Sequence, residues 1–224
     1  MLQMMKKGLG AAYHWLGWSQ FVTGCVFALI VCWPAPRSIA GEFNPTLNIL
    51  DTAPAWEKLP GVDGNEHALS DLKDVQVIVV VFTCNSCPYA VDHEQRLIAL
   101  SKQYVGKPVR VIAVNVNKVE EDALEAMKVR STDKGFNFTY LFDESQQIAR
   151  DFGATYTPEF FVLNKQRQVI YMGAMDDSPS GQDVKVHYVE QAIEAALRGE
   201  LPEIKETVAI GCGIRYVRAR RKPR

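Results

Sequence analysis

Positive charge is outnumbered in the body of this 224-residue chain. Of its 25 basic residues, Arg215, Arg218, Arg220, Arg221, Lys222 and Arg224 crowd the last ten positions, and Lys6, Lys7 and Arg37 lie in the first forty. Residues 41 to 214 keep 16 basic against 26 acidic side chains, a net charge of about -10, which excludes a nucleic-acid module. Long apolar runs are missing too. The most apolar stretch, Phe21 to Trp33, is about 13 residues, short of the roughly 20 that cross a bilayer as a helix. No internal repeat occurs, and no low-complexity segment precedes the basic tail, which reads as a solvated end. Cysteine is scarce, at five residues. Cys25 and Cys32 fall in the first forty positions, leaving Cys84, Cys87 and Cys212. An odd number does not suit a structural disulfide framework, whereas a close pair plus one remote thiol suits redox chemistry.

What is present begins with a leader-like segment. Lys6 and Lys7, the apolar stretch and "PAPRSIA" before Gly41 have the layout of a secretory signal peptide, with Ser38 and Ala40 where a peptidase needs small residues. Residues 1–40 are therefore expected to direct export, periplasmic or otherwise extracytoplasmic, with cleavage after Ala40. An uncleaved membrane anchor is the alternative. A lipoprotein box at "LIVC" fits less well, because Val31 is large for the residue before a modified cysteine.

The whole chain's 47% hydrophobic content is ordinary for a packed protein, and the length beyond the leader-like segment fits one domain. "VQVIVVVF" (75–82) and "VRVIAVNVN" (109–117) are nearly continuous and rich in β-branched residues, as strands covered on both faces require. Between them, residues 88–104 place Ala90, Val91, Leu97, Ile98, Ser101 and Tyr104 on one side of a helical wheel, with Asp92, Gln95, Arg96 and Gln103 on the other. Strand, helix, strand at this spacing predicts a βαβ unit in a parallel sheet. Asp63-Gly64 predicts a hairpin turn. Downstream the pattern predicts a helix over 119–130, a strand at "FNFTYLF", a helix at "ESQQIARDF" stopping at Gly153, strands at "PEFFVLN" and "QVIYMGAM", and a last helix over 184–198. That last helix turns Tyr188, Ala192, Ala195 and Ala196 inward and is closed by Gly199.

Cys84 and Cys87 sit where the first strand gives way to a helix. A thiolate there meets the positive end of the helix dipole and unpaired backbone amides, which lower its pKa. Pro88 suits the first helical turn, and Asn85 and Ser86 are capping residue types. On the wheel Cys87 joins the apolar stripe while Cys84 precedes the helix. The expectation is an exposed, acidic Cys84 that attacks and a buried Cys87 that resolves the mixed disulfide. A zinc site is the competing reading, along with two inert thiols. However, His67, His93, His187 and Cys212 form no second pair at ligand spacing.

These motifs make the chain resemble the thioredoxin-like redoxins, specifically an exported peroxiredoxin-like group carrying "FTCNxCPY". The matching features are "FTCNSCPY", the "DG" hairpin, "FGATYTPEFFVLN" and the ending "MGAMDD…GCGIRY", over about residues 48 to 217. The resemblance implies an α/β thioredoxin-like fold, with a central mixed sheet of four or five strands flanked by helices, an amino-terminal hairpin and a carboxy-terminal extension over 201–224 beyond a domain at 48–200. It implies a cis Thr157-Pro158 peptide facing Cys84, with the Thr157 backbone free to pair with a substrate chain. Thiol-disulfide exchange needs no dissociable cofactor and no metal, but requires protein disulfide or dithiol substrates and an electron-donor or acceptor protein.

The chain also departs from the pattern of the families it resembles. Thr83 stands where thioredoxins carry Trp, and Ile78 replaces their buried carboxylate. That leaves His93 and Glu94 as the nearest titratable groups, with Glu94 roughly 10 Å along the helix from Cys87 and His93 read first as a helix-flank residue. Cys84 and Val80 occupy the Thr and Pro positions of the peroxiredoxin motif, so thiol peroxidase activity is an alternative function with its activating pocket missing. A copper-binding chaperone using both cysteines and His187 is a second alternative. Asp176 and Asp177 match a pair typical of the group and are equally turn residues. Cys212, between two glycines, is either a buried free thiol or a third thiol folded back onto the pair.

Overall fold

A computed structural model describes residues 41–217. The leader reading of residues 1–40, with Cys25 and Cys32, and the basic residues after 217 lie outside the described residues.

Central to the fold is a five-stranded sheet. The strands are β3 (Val77–Phe82), β4 (Val109–Asn115), β5 (Thr139–Phe142), β7 (Glu159–Leu163) and β8 (Val169–Gly173), in the order β5-β4-β3-β7-β8. β3 pairs in parallel with β4, and β4 with β5, while β7 runs antiparallel to both β3 and β8. The sheet is therefore mixed, as the resemblance implied. A short antiparallel pair, β1 (Leu59–Pro60) and β2 (Glu66–His67), forms the expected hairpin, with Gly64 at φ +84°. A second small pair joins β6 (Tyr156–Thr157) to β9 (Cys212–Gly213).

Every residue of β3 is buried, and the period of two divides them between two cores. Ile78, Val80 and Phe82 pack with Ile112, Val114, Phe152 and Phe161 on one face. On the other, Val77, Val79 and Val81 pack with Leu97, Leu100, Met127, Val189, Ala192 and Ile193. These come from α1 (Pro88–Gln103), α2 (Leu124–Lys134) and α4 (Tyr188–Leu197). The opposite face is covered by α3 (Gln147–Asp151) together with Trp56 and Leu47. Phe82 meets Phe152 and Phe161 edge-on, with ring centroids 5.4 and 5.7 Å apart, so the strand that carries the cysteine loop has a stiff aromatic floor.

Several boundaries differ from the sequence reading. The helix expected over 119–130 splits into a 3-10 turn (Glu120–Asp122) and α2, which ends at left-handed Gly135. Along α4 the buried residues are Val189, Ala192, Ile193 and Ala195, with Tyr188 only half-buried, a rotation that favours the larger aliphatic side chains over Ala196. Along α1 the buried set is Ala90, His93, Glu94, Leu97 and Leu100, so two polar residues lie inside, each held by a partner described below. Among the described residues, no helix is long and apolar enough to cross a membrane.

Candidate functional site

The site stands at the carboxyl ends of β3 and β4. Thr83 extends the β3 ladder by one bond, its amide donating to Val114 O at 3.0 Å. The chain then turns through Cys84, Asn85 and Ser86 before α1 begins at Pro88, with Cys87 as N-cap. Asn85 and Ser86 do not cap α1, contrary to expectation. Both turn to Asp122, whose carboxylate accepts the Asn85 amide at 2.6 Å, the Ser86 amide at 3.1 Å and the Ser86 hydroxyl at 2.6 Å. Asn115 and Asn117 donate to the same carboxylate at 3.3 and 3.1 Å. Asn85 completes the frame by donating to Glu121 O at 2.7 Å and accepting from Tyr140 Oη at 3.0 Å. Asp122 is fully buried, and this many donors make burial of a carboxylate tolerable.

Asp122 was missed by sequence reasoning, which treated "EED" as part of a helix. A readable signal existed: Asn115 and Asn117 at alternate positions past an apolar strand point polar side chains to one side, where ligands and catalytic loops gather in open α/β sheets.

The two cysteines do converge, but not in the expected surroundings. Cys84 is 3% accessible, as is Cys87, and both pack with Ala90 and Cys212. Cys84 Sγ lies 3.4 Å from Thr157 Oγ1 and 3.9 Å from Ser86 Oγ. Burial pushes the Cys84 thiol above its ordinary value, and the Asp122 charge adds to this, outweighing the bonds from Thr157 and Ser86. Burial acts the same way on Cys87. There, hydrogen bonds from the Cys212 thiol, the Ala90 and Cys212 backbone and Thr157 overcome it and bring the thiol below its ordinary value. The expected exposure of Cys84 is thus overturned, and its surroundings push the thiol up rather than down. The reason is positional: Cys87 is the N-cap residue of α1, at the positive end of the helix dipole, whereas Cys84 is three residues upstream and near the Asp122 carboxylate. As a thiol, Cys87 donates to Thr157 O at 3.1 Å. Once ionised, its sulfur becomes the acceptor for the surrounding donors.

The Thr157-Pro158 peptide is cis, and Thr157 touches both sulfurs. Its backbone is not free. β9 pairs with it, Thr157 opposite Cys212, and Thr157 Oγ1 donates to Cys212 O at 3.4 Å. Behind this loop Glu159, also unanticipated, accepts the Thr155 and Tyr156 amides at 2.7 and 3.0 Å and holds the approach to the proline. Burial pushes its carboxyl above the usual range.

The other candidates have structural partners. His93 is buried rather than on the helix flank, its Nδ1–H donating to Tyr89 O at 2.7 Å while Nε2 accepts from Arg96 at 2.9 Å. Burial and the Arg96 charge hold it neutral, down to about 4. With both nitrogens engaged, it is no base for Cys87. Glu94 pairs with Arg130. Asp176 pairs with Arg96 at 2.6 Å and caps the Ser178 amide at 3.0 Å. Asp177 accepts the Lys185 and Val186 amides at 2.9 and 3.0 Å, so both aspartates organise the turn. His187 lies at the start of α4 against Glu190, 3.1 Å away. Among the described residues no three His, Cys, Asp or Glu side chains converge to hold a metal, so His187 does not join the cysteines.

A family model described as Redoxin matches residues 48–193. A hypothetical protein of Sinorhizobium meliloti 1021 superposes with a TM-score of 0.73 at 29% identity, over 79% of this chain and 98% of its own. An uncharacterized conserved protein of Geobacillus kaustophilus gives 0.72 at 31% identity, over 79% and 96%. A structure described as thiol:disulfide interchange protein DsbE, from Chlorobium tepidum, gives 0.50 at 27% identity, over 57% and 85%. No curated protein sequence matches the chain.

Proposed function

The chain belongs to the Redoxin family, and we propose that it is an extracytoplasmic thiol-disulfide oxidoreductase in which Cys84 and Cys87 are the redox couple. The observation that supports this most is the meeting of both sulfurs at Thr157, beside the cis proline and at the start of α1. Cys87, the sulfur that this environment ionises most readily, attacks one sulfur of a protein disulfide and releases the other as a thiolate. Cys84 then gives up its proton and attacks the Cys87 sulfur of the mixed disulfide. The Cys84-Cys87 bond forms, and the substrate leaves as a dithiol, two electrons richer. The low pKa of Cys87 also makes it the better leaving group when the pair is reduced again by a dithiol protein. Thr157 Oγ1, in contact with Cys84, is placed to orient that second sulfur.

Export is supported by the leader-like layout of residues 1–40. Residues 48–200 form the redoxin domain, and residues 201–224 a carboxy-terminal extension, part of which contributes β9. Protein disulfides and dithiols are the substrates on this reading.

Stopped-flow kinetics test the reading. The reduced full-length chain is expected to react faster with protein disulfides than with hydrogen peroxide. With Cys212 also replaced by Ser, Cys84→Ser is expected to stop at a mixed disulfide on Cys87, and further replacement of Cys87 to abolish it. Rapid peroxide consumption with no reaction towards protein disulfides would transfer the assignment to a thiol peroxidase.

A further inference from the structure

A strand of the protein's own carboxy-terminal segment lies on the Thr157 platform, and it carries a cysteine. β9 sets Cys212 opposite Thr157, with Ile214 N donating to Thr155 O at 2.9 Å. The approach is unusually close. A Cβ added at Gly211 would stand 2.2 Å from Thr157 O and 2.6 Å from its carbonyl carbon, so only glycine lets the strand lie so near the platform. Cys212 packs directly against the buried cluster of Cys84, Cys87 and Ala90 at the start of α1. Of the three clustered sulfur-bearing residues, Cys212 alone is not fully buried. An added strand whose thiol points at a dithiol is the arrangement a substrate chain would adopt there.

We propose that Cys212 is a third redox thiol, exchanging with the Cys84-Cys87 disulfide to form a Cys87-Cys212 disulfide that an external dithiol protein then reduces. The inference rests on the Cys84/Cys87 couple proposed above. In the exchange the Cys212 thiolate attacks the Cys87 sulfur, the Cys84-Cys87 bond breaks, and Cys84 takes up the proton that Cys212 gave up, so no electrons are gained or lost. Next the external dithiol attacks the outer sulfur, Cys212, and Cys87 leaves as the thiolate. The dithiol protein becomes a disulfide and three thiols are restored. The buried couple is thereby reached without a partner entering the Thr157 platform. Cys212 is the port, and residues 211–213 serve as an intramolecular substrate.

Peptide-resolved mass spectrometry of the full-length chain, equilibrated in glutathione buffers of graded potential, tests this. The wild type is expected to yield Cys84-Cys87 and Cys87-Cys212 linkages, and Cys84→Ser the second in high yield. Gly211→Ala, which alters no sulfur, is expected to lower the Cys87-Cys212 yield by at least about tenfold while the Cys84-Cys87 linkage persists. Finding Cys87 of the Cys84→Ser protein only as a glutathione adduct, with Cys212 free, would overturn the third-thiol role and leave the couple standing. If the wild type formed no intramolecular disulfide among the three, the couple itself would fall as well.

Discussion

Two segments meet at Thr157, and they are held in opposite ways. The loop from Cys84 to Cys87 is fastened from within: Asp122 takes two backbone amides and a hydroxyl from it, and Tyr140 and the Glu121 carbonyl fix Asn85. The segment from Ile210 to Val217 is fastened from outside. It depends on the β6 pairing, on Asn117 accepting the Arg215 amide at 3.2 Å, on Gln146 bonding Arg215 O and Val217 N, and on Tyr216 donating to Ala154 O at 2.6 Å. Ile210 and Val217 face solvent. Local opening free energies fall where apolar burial is sparse and hydrogen bonds are exposed. Opening of this segment rather than of the loop is therefore the expected route by which a dithiol buried at 3% accessibility meets substrates.

Removing the internal fastening should have the largest effect. Asp122→Ala leaves buried amides and amide side chains without an acceptor, and is expected to cost on the order of 3 kcal/mol in urea unfolding. The milder Asp122→Asn removes the charge that pushes Cys84 up, so Cys84 should alkylate at lower pH than in the wild type.

Next comes the stability profile set by His93, on the buried face of α1. Its folded pKa, about 4, lies below the 6.5 of the unfolded chain. Between those values the unfolded state binds the extra proton, so stability rises with pH, is complete above about 6.5, and is lost as the pH falls towards 4. Replacement by Gln is expected to flatten this slope, worth on the order of 3 kcal/mol across the window. An unchanged slope in the variant would move its origin elsewhere.

Loosening the cover should matter less for stability and more for access. Tyr216→Ala removes the bond to Ala154 and the Arg150 guanidinium contact at 4.3 Å. It is expected to cost about 1 to 2 kcal/mol while speeding alkylation of Cys84 and Cys87. A control at exposed Ile210 should be smallest, with Ile210→Ser within about 0.5 kcal/mol of the wild type. If Tyr216→Ala left alkylation rates unchanged, the cover would not be what limits access.

The sheet was legible in the sequence because β3 and β4 are continuous β-branched runs, and the Thr-Pro before "EFFVLN" pointed to the second half of the site. The ionisation order was not legible. It depends on which residue is the N-cap, a matter of one or two positions, and on Asp122, which reaches the loop from 36 residues away along the chain. The pairing of β9 was also hidden. Two residues carry no periodicity, and only the glycines flanking Cys212 signalled a close approach. His93 reads as a helix-flank residue in the sequence because its partner inside the fold is Arg96, which lies three residues on and is itself drawn towards Asp176.

The redox state of Cys84 and Cys87 tests the central claim most directly. Titrating the full-length chain against glutathione buffers, with thiols labelled before and after reduction, is expected to show Cys87 passing from labelled to protected at a single midpoint, and Cys84 with it in the fraction that the Cys84-Cys87 linkage holds. If both remained labelled thiols throughout the oxidising range while the protein stayed folded, the Cys84/Cys87 couple would be contradicted.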